Sequence, residues 1–396
     1  MSAEVQDRSV QGEQTSATLS GASIAVVSRC ARTLFNFRRS LIGEAQRAGA
    51  QVVAYGSAGE GFEQRLQAAG IRFEHIPVSW RGLDPLADLT LLWTMVRMFR
   101  RSQPHVVHSF TIKPAIYGTV AAWLAKVPVR IVTITGLGHA FTTAGPLVRG
   151  VVTRLYRFAL ARAQIVFFQN PDDRDLFLRL RLVAPAVARL IPGSGVDLQR
   201  FAPAPLPSEA RASPHFLMIA RLLREKGVRE FVEAAAIVKQ RHPGAVFTLL
   251  GGVDSRNPSA LSTQELAKLR GSAAVQWVDE VLDVRPHIAA ADVMVLPSYR
   301  EGLPRTLLEG AAMGRALVAT DAPGCRELVI PGTTGYLVPV RDSVALARAM
   351  QHLCEHPGEI SAMGQAARQM VEATYDQRVV DSICIQAYAE QRRKVR

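Results

Sequence analysis

ADVMVLPSYREGLPRTLLEGAAMGRALVAT, residues 291–320, reads as a strand, a turn, a helix and a second strand. DVMVLPS (292–298) is apolar and β-branched, as a strand covered on both faces must be. Pro304 has no amide hydrogen to offer and suits a first helical turn. Glu301 then falls near the helix N-cap, where the dipole favours negative charge, while Glu309 sits deeper in the apolar run LLEGAAMG. ALVAT (316–320) follows as the next strand. Strand, helix and strand in so short a space is the repeating unit of a parallel α/β sheet.

The same alternation extends on both sides. HFLMIAR (215–221), AVFTLLGG (245–252) and VQWVD (275–279) precede the stretch as strands, and GYLVP (335–339) follows it. Earlier in the chain, ASIAVVS (22–28) is a strand, and FRRSLIGEAQRAGAQVVAYG holds a helix and a second strand. PHVVHSF (104–110), VRIVTIT (129–135) and QIVFFQN (164–170) complete five strands in the first half. FAPAPLPSEARAS (201–213), rich in Pro and Ala, reads as a linker. The fold expected is α/β, with two Rossmann-like, doubly wound parallel sheets facing a cleft, where ligands bind at the carboxyl ends of the strands. The boundaries are a polar, disordered leader at 1–20, a first domain at 21–200, the linker, a second domain at 214–375, and a helix at 376–396 that returns to the first domain.

A chain of 396 residues exceeds what one core usually supports, in keeping with two domains. Its net charge of +13 is uneven: residues 1–200 carry 24 Lys and Arg against 13 Asp and Glu, the remainder 23 against 21. The first half thus suits an anionic partner. A nucleic-acid role, suggested by a pI near 10.2, lacks support because aromatics are only 7% and no basic run is interleaved with them. Cys30, Cys325, Cys354 and Cys384 are scattered without metal or redox spacing, which suits a reducing cytosol. No apolar run is long enough to span a membrane.

Two cations stand out in ARLLREKG: Arg221 at a strand end and Lys226 five residues on. Such a pair suits a diphosphate, with arginine able to bind in bidentate fashion. Gly251 and Gly252 end the next strand and would let a ligand approach the backbone. DDRD (172–175) follows Asn170 and Pro171 at a helix start, where carboxylates cap free amides, so it is read as capping and no metal site is expected.

Together ARLLREKG, VFTLLGG, the 291–320 stretch and GTTGYLVPVRD resemble the nucleotide-sugar-binding half of the retaining glycosyltransferases of family 4, of GT-B fold. FNFRRSLI, HSFTIKPAIYGT, TITGLGHAF, FFQNPDD and GSGVDLQRF are similar to the branch that extends polyprenyl-diphosphate-linked sugars in bacterial glycan assembly. The resemblance implies a hexosyltransferase that is retaining and metal-independent and needs no cofactor. Its donor is a nucleotide diphosphate sugar, by family weight UDP with an N-acetylhexosamine. Its acceptor is a lipid-linked saccharide at an anionic membrane surface, on the cytoplasmic face. It further implies that Glu301 faces the hexose, that Glu309 holds the ribose, and that the amides of Gly302 and Leu303 help hold the diphosphate. Arg221 and Lys226 stabilise the leaving group. Asn36, Arg38, His108, Lys113, Gly136 and His139 fall on the acceptor side. Where many relatives have a histidine after the fourth strand, this chain has Thr135 and Gly136. A soluble or different lipid acceptor, and a GT-B nucleotide-sugar 2-epimerase, remain as alternatives.

LTLLWTMVRMFRRSQP (89–104) forms a helix with an apolar face ending in Arg97, Arg100 and Arg101, and Trp93 would sit at a membrane interface. It could lie in the headgroups of an anionic leaflet, or Leu91, Leu92 and Met95 could pack beneath the sheet.

Overall fold

The computed structural model describes residues 18–78, 84–137, 145–207, 213–254 and 257–395. The leader expected at 1–20 lies outside these apart from residues 18–20, as does His139. Among the described residues, seven parallel strands form the first sheet: β1 (Ser23–Cys30), β2 (Gln51–Ser57), β3 (Arg72–His75), β4 (Val106–Phe110), β5 (Val129–Ile134), β6 (Ile165–Phe168) and β7 (Ala188–Leu190). Their spatial order is β3-β2-β1-β4-β5-β6-β7. Six more form the second sheet: β8 (His215–Ile219), β9 (Val246–Leu250), β10 (Gln276–Val278), β11 (Val293–Leu296), β12 (Ala316–Thr320) and β13 (Gly335–Val338). These run in the order β10-β9-β8-β11-β12-β13. Strand order reverses at β1/β4 and at β8/β11, and a doubly wound sheet opens a crevice beyond the carboxyl ends at such a point.

Side-chain alternation on β1 shows how the sheet is covered. Ile24 and Val26 enter one core cluster, with helices Ala31–Arg47 and Gln377–Lys394, while Ala25 and Val27 enter another under helix Pro85–Ser102. The short edge strands β3 (RFEH) and β7 (ARL) go beyond the five read from sequence. Both are polar and only partly covered, so no apolar run marks them.

The chain passes between the domains twice, and the two passages lie side by side. Val196 donates its amide to the carbonyl of Tyr375 at 2.9 Å, and Gln377 donates to the carbonyl of Val196 at 3.0 Å. Beyond that point Val380, Cys384, Ile385 and Tyr388, from the last helix, are buried in the first domain's core.

Candidate active site

β8 ends at Ile219, and a short 3-10 turn, Arg224–Lys226, leads into helix Val228–Arg241. Gly227 joins them at φ +74°, where a Cβ would stand 2.1 Å from the carbonyl oxygen of Pro297. Only glycine tolerates both the left-handed backbone and that approach. The approach presses Lys226 against the segment after β11, where its ammonium pairs with Glu301 Oε1. Ser298 Oγ lies 2.6 Å from the same oxygen, and the amide of Glu301 donates to the carbonyl of Pro323 at 2.8 Å. Lys226 and Glu301 are both mostly covered, so their attraction is weakly screened.

Glu301 differs in one respect from its sequence reading. The helix is Arg305–Ala312, with Pro304 as its extended N-cap residue, so Glu301 precedes the cap by three positions. Lys226, Ser298 and the loop's own hydrogen bonds hold the carboxylate, and the dipole is a remote influence.

The loop Glu301–Leu303 meets the first domain directly. Asn170 Nδ2 donates to the carbonyl of Gly302 at 2.7 Å and approaches that of Glu301 at 3.3 Å, while its Oδ1 accepts from the amide of Asp173 and caps helix Pro171–Arg179. Gly136, just beyond β5, abuts Gly302, and Leu303 packs on Gly193. Two residues of the DDRD stretch therefore have partners other than free amides. Asp172 pairs with Arg326 at 3.2 Å and buried Asp173 with Arg300 at 2.5 Å, both across the domains. Burial pushes the Asp173 carboxyl up, and the Arg300 guanidinium opposes that shift.

Glu309, on the first helical turns, is buried. Arg305 Nε donates to it at 2.9 Å, and the same guanidinium also reaches the carbonyl of Asn36 in the first domain. Desolvation raises the Glu309 carboxyl and Arg305 pulls it back. Arg221, half-exposed, donates to Asp254 at 3.1 Å. Arg29, at the end of β1, lies close enough to both to feel their charges, although burial is the larger influence lowering its pKa. Gly251 answers to the fold, since a Cβ there would fall 1.8 Å from the carbonyl oxygen of Ala220. Gly252 faces Glu280, whose carboxylate pairs with Arg32 of the first domain.

Two acceptor-side expectations are corrected. His108 is wholly buried, with Nδ1 2.7 Å from Tyr388 Oη and Nε2 2.7 Å from Thr133 Oγ1. Desolvation drives its pKa well down, so it is a neutral core histidine with both nitrogens occupied. Arg38 is also buried, its guanidinium 4.0 Å from the Phe110 ring centre, and desolvation lowers its pKa to about 10. Neither side chain reaches a surface where an acceptor could touch it. Lys113 is tied to Asp88 at 2.6 Å, Asn36 is exposed, and His139 lies outside the described residues. Sequence reasoning passed over Ser298, Arg305, Asn170 as a clamp, and Thr111. The last is a β-branched residue at φ +70°, just beyond β4, with a buried hydroxyl that lacks a hydrogen-bond partner among the described residues. The signal for Asn170 was its place before Pro171, and nothing local marks the others.

Residues 213–356 match the family described as "Glycosyl transferases group 1", and residues 36–193 match the "Glycosyl transferase 4-like domain". The chain is 27% identical to the Campylobacter jejuni N,N'-diacetylbacillosaminyl-diphospho-undecaprenol alpha-1,3-N-acetylgalactosaminyltransferase, over 92% of this chain and 98% of that relative. It is 26% identical to the Escherichia coli UDP-Gal:alpha-D-GlcNAc-diphosphoundecaprenol alpha-1,3-galactosyltransferase, over 71% and 74%. With the D-inositol 3-phosphate glycosyltransferase of Pseudarthrobacter chlorophenolicus it shares 32% identity, over 69% and 68%. Among solved structures, Anabaena HepE in complex with UDP and glucose superposes with a TM-score of 0.73 at 17% identity, covering 93% of this chain and all of that one. Sucrose-phosphate synthase from Thermosynechococcus elongatus superposes at 0.75 with 20% identity, covering 93% and 98%. With both domains matched in order and the two switch-point sheets in place, the chain belongs to the family 4, or group 1, glycosyltransferases of GT-B fold.

Proposed function

We propose that the protein is a retaining hexosyltransferase, independent of metal. It moves an N-acetylhexosamine from a UDP-linked donor to a saccharide on polyprenyl diphosphate in bacterial surface glycan synthesis. The observation that carries this reading is the junction of Lys226, Ser298 and Glu301 beyond β8 and β11, set against Asn170 and Gly136 of the first domain. Two cations, Lys226 and Arg221, take up charge growing on the departing diphosphate, an electrostatic effect that is usually the largest in such sites. The amides of Gly302 and Leu303 add donors, and Glu309 accepts the ribose hydroxyls.

Glu301 is poorly suited to attack carbon, because Lys226 and Ser298 both engage its Oε1. It positions the hexose and balances the positive centre that forms as the leaving group departs. The acceptor hydroxyl then enters on the face the diphosphate leaves, which preserves anomeric configuration. Asn36, Lys113 and Gly136 fall on the acceptor side in this reading. The relatives named for diphospho-undecaprenol substrates support a lipid-borne acceptor, and this reading sets the work at the inner face of the cell membrane. Among the described residues no helix is long and apolar enough to cross a membrane.

A panel of nucleotide sugars, incubated with undecaprenyl-diphosphate-linked acceptors and read by mass spectrometry and NMR, tests the proposal. A product carrying one added N-acetylhexosamine in retained linkage, unaffected by chelator, is the expected result. Inverted linkage, or turnover only on soluble sugars, overturns it.

A further inference from the structure

In the second domain, at residues not assigned to the cleft, helix Ser343–Glu355 gives way to helix Pro357–Thr374. His352 lies in the last turn of the first, His356 is the junction residue, and Glu359 lies in the first turn of the second. One ligand atom from each falls within 4.8 Å of the others. His352 Nε2 stands 3.1 Å and 3.3 Å from the two oxygens of Glu359. Two ligands about 2.05 Å from a tetrahedral zinc ion sit about 3.3 Å apart, so this pair already has the spacing of one edge of such a site.

Neighbouring groups hydrogen-bond to these side chains. His356 Nδ1 lies 3.0 Å from the carbonyl of His352, a bond that leaves its Nε2 with a lone pair. The two imidazoles stack at 4.2 Å, and the hydroxyl of Tyr336, on edge strand β13, donates to Glu359 at 2.8 Å. A hydroxyl on the carboxylate and a carbonyl on the ring are the kind of outer partners that orient metal ligands. All three candidate ligands are partly or fully exposed, so side-chain rotation can close the remaining distance, and an ion has access from solvent.

We propose that His352, His356 and Glu359 bind a divalent transition-metal ion of the zinc type, with water at the fourth position, pinning the elbow between the two helices to β13. Two imidazoles and one carboxylate with an open position suit zinc over magnesium or calcium, which prefer all-oxygen shells. The ion takes the place of the direct hydrogen bond between His352 and Glu359. Because the site shares no residue with the cleft, it stands or falls apart from the transfer reaction.

Calorimetric titration of the full chain with zinc chloride tests it, alongside thermal unfolding and the absorption of the cobalt-loaded protein. The expected result is one equivalent bound, a raised melting temperature, and visible cobalt bands of tetrahedral strength. His352→Ala and Glu359→Gln each lose at least tenfold in affinity together with the thermal shift. Tyr336→Phe, with an unchanged circular dichroism spectrum, loses about 10- to 100-fold through its outer-partner role. Zinc binding that survives both ligand substitutions at full strength, or a weak, six-coordinate cobalt spectrum, overturns the proposal.

Discussion

Lys226 meets Glu301 because Gly227 lets its turn press against Pro297, and that contact sets the residue-scale expectations. Lys226→Ala and Arg221→Ala should each lower turnover by about one to three orders of magnitude, the usual cost of one charge-stabilising group. Lys226 should cost more, since it is largely covered while Arg221 is half-exposed. Single-turnover rates near wild type in both variants would remove the leaving-group role. Glu309→Gln should raise the donor dissociation constant more than it lowers kcat, because a ribose clamp acts alike in ground and transition states. Calorimetry with UDP separates the two, and intact binding with a slowed reaction would point to a different role. Sequence could read what is local, a cation in the turn after β8 and two carboxylates around a helix start, although the meeting of Lys226 with Glu301 spans 75 positions. His108 and Arg38 were misplaced for the opposite reason. A histidine on a strand looks free until a tyrosine 280 positions later covers it, and no local pattern records that partner.

Helix Gln377–Lys394 makes this covering, and it carries a titratable group of its own. Asp381 is buried against helix Ala31–Arg47, accepts from Ser40 at 2.5 Å, and has its carboxyl pushed up to about 7, chiefly by desolvation. Between about pH 4 and pH 7 the unfolded chain releases this proton while the folded one keeps it. The group's contribution to stability therefore falls as pH rises through that window and levels off above it. Asp381→Asn should stabilise the protein above pH 7, by the order of 2–4 kcal/mol, and by little near pH 4. Urea unfolding at pH 5 and pH 8 measures this, and equal gains at both would rule out titration of Asp381 as the cause. Helix Pro85–Ser102 follows the packing alternative of its sequence reading. Leu91 and Met95 pack beneath the sheet, and two of the terminal arginines are engaged, Arg100 near the carbonyl of Leu124 and Arg101 with Glu74. The exposed apolar groups are Leu86 at 79%, Leu89 at 50% and Trp93 at 49%, gathered towards the other end. If this helix touches anionic liposomes, Leu86→Glu with Trp93→Glu should reduce flotation more than charge reversal at Arg97, Arg100 and Arg101 does. The reverse order would place the anchor at the basic end. The strands buried on both faces were legible as apolar runs, whereas polar edge strands and the buried side of this helix depend on neighbours distant in sequence.

Across the whole molecule, the domains are fastened by charge as well as by chain. Arg300 meets the buried Asp173, Arg326 meets Asp172, and Arg32 meets Glu280. Arg300→Ala leaves a buried carboxylate unpaired, which typically costs about 3–5 kcal/mol, so its melting temperature should fall further than that of the Arg300→Ala, Asp173→Asn double variant. Equal losses in both would mean that the ion pair is incidental. The return of the last helix has a further consequence for how the chain can be divided. Since Tyr388 and its neighbours complete the first domain's core from beyond the second, a cut between residues 207 and 213 should yield two pieces that co-elute and still unfold together. Residues 1–200 made alone should expose an apolar trough and aggregate, and a synthetic peptide of residues 376–396 should rescue them in trans, by fragment complementation.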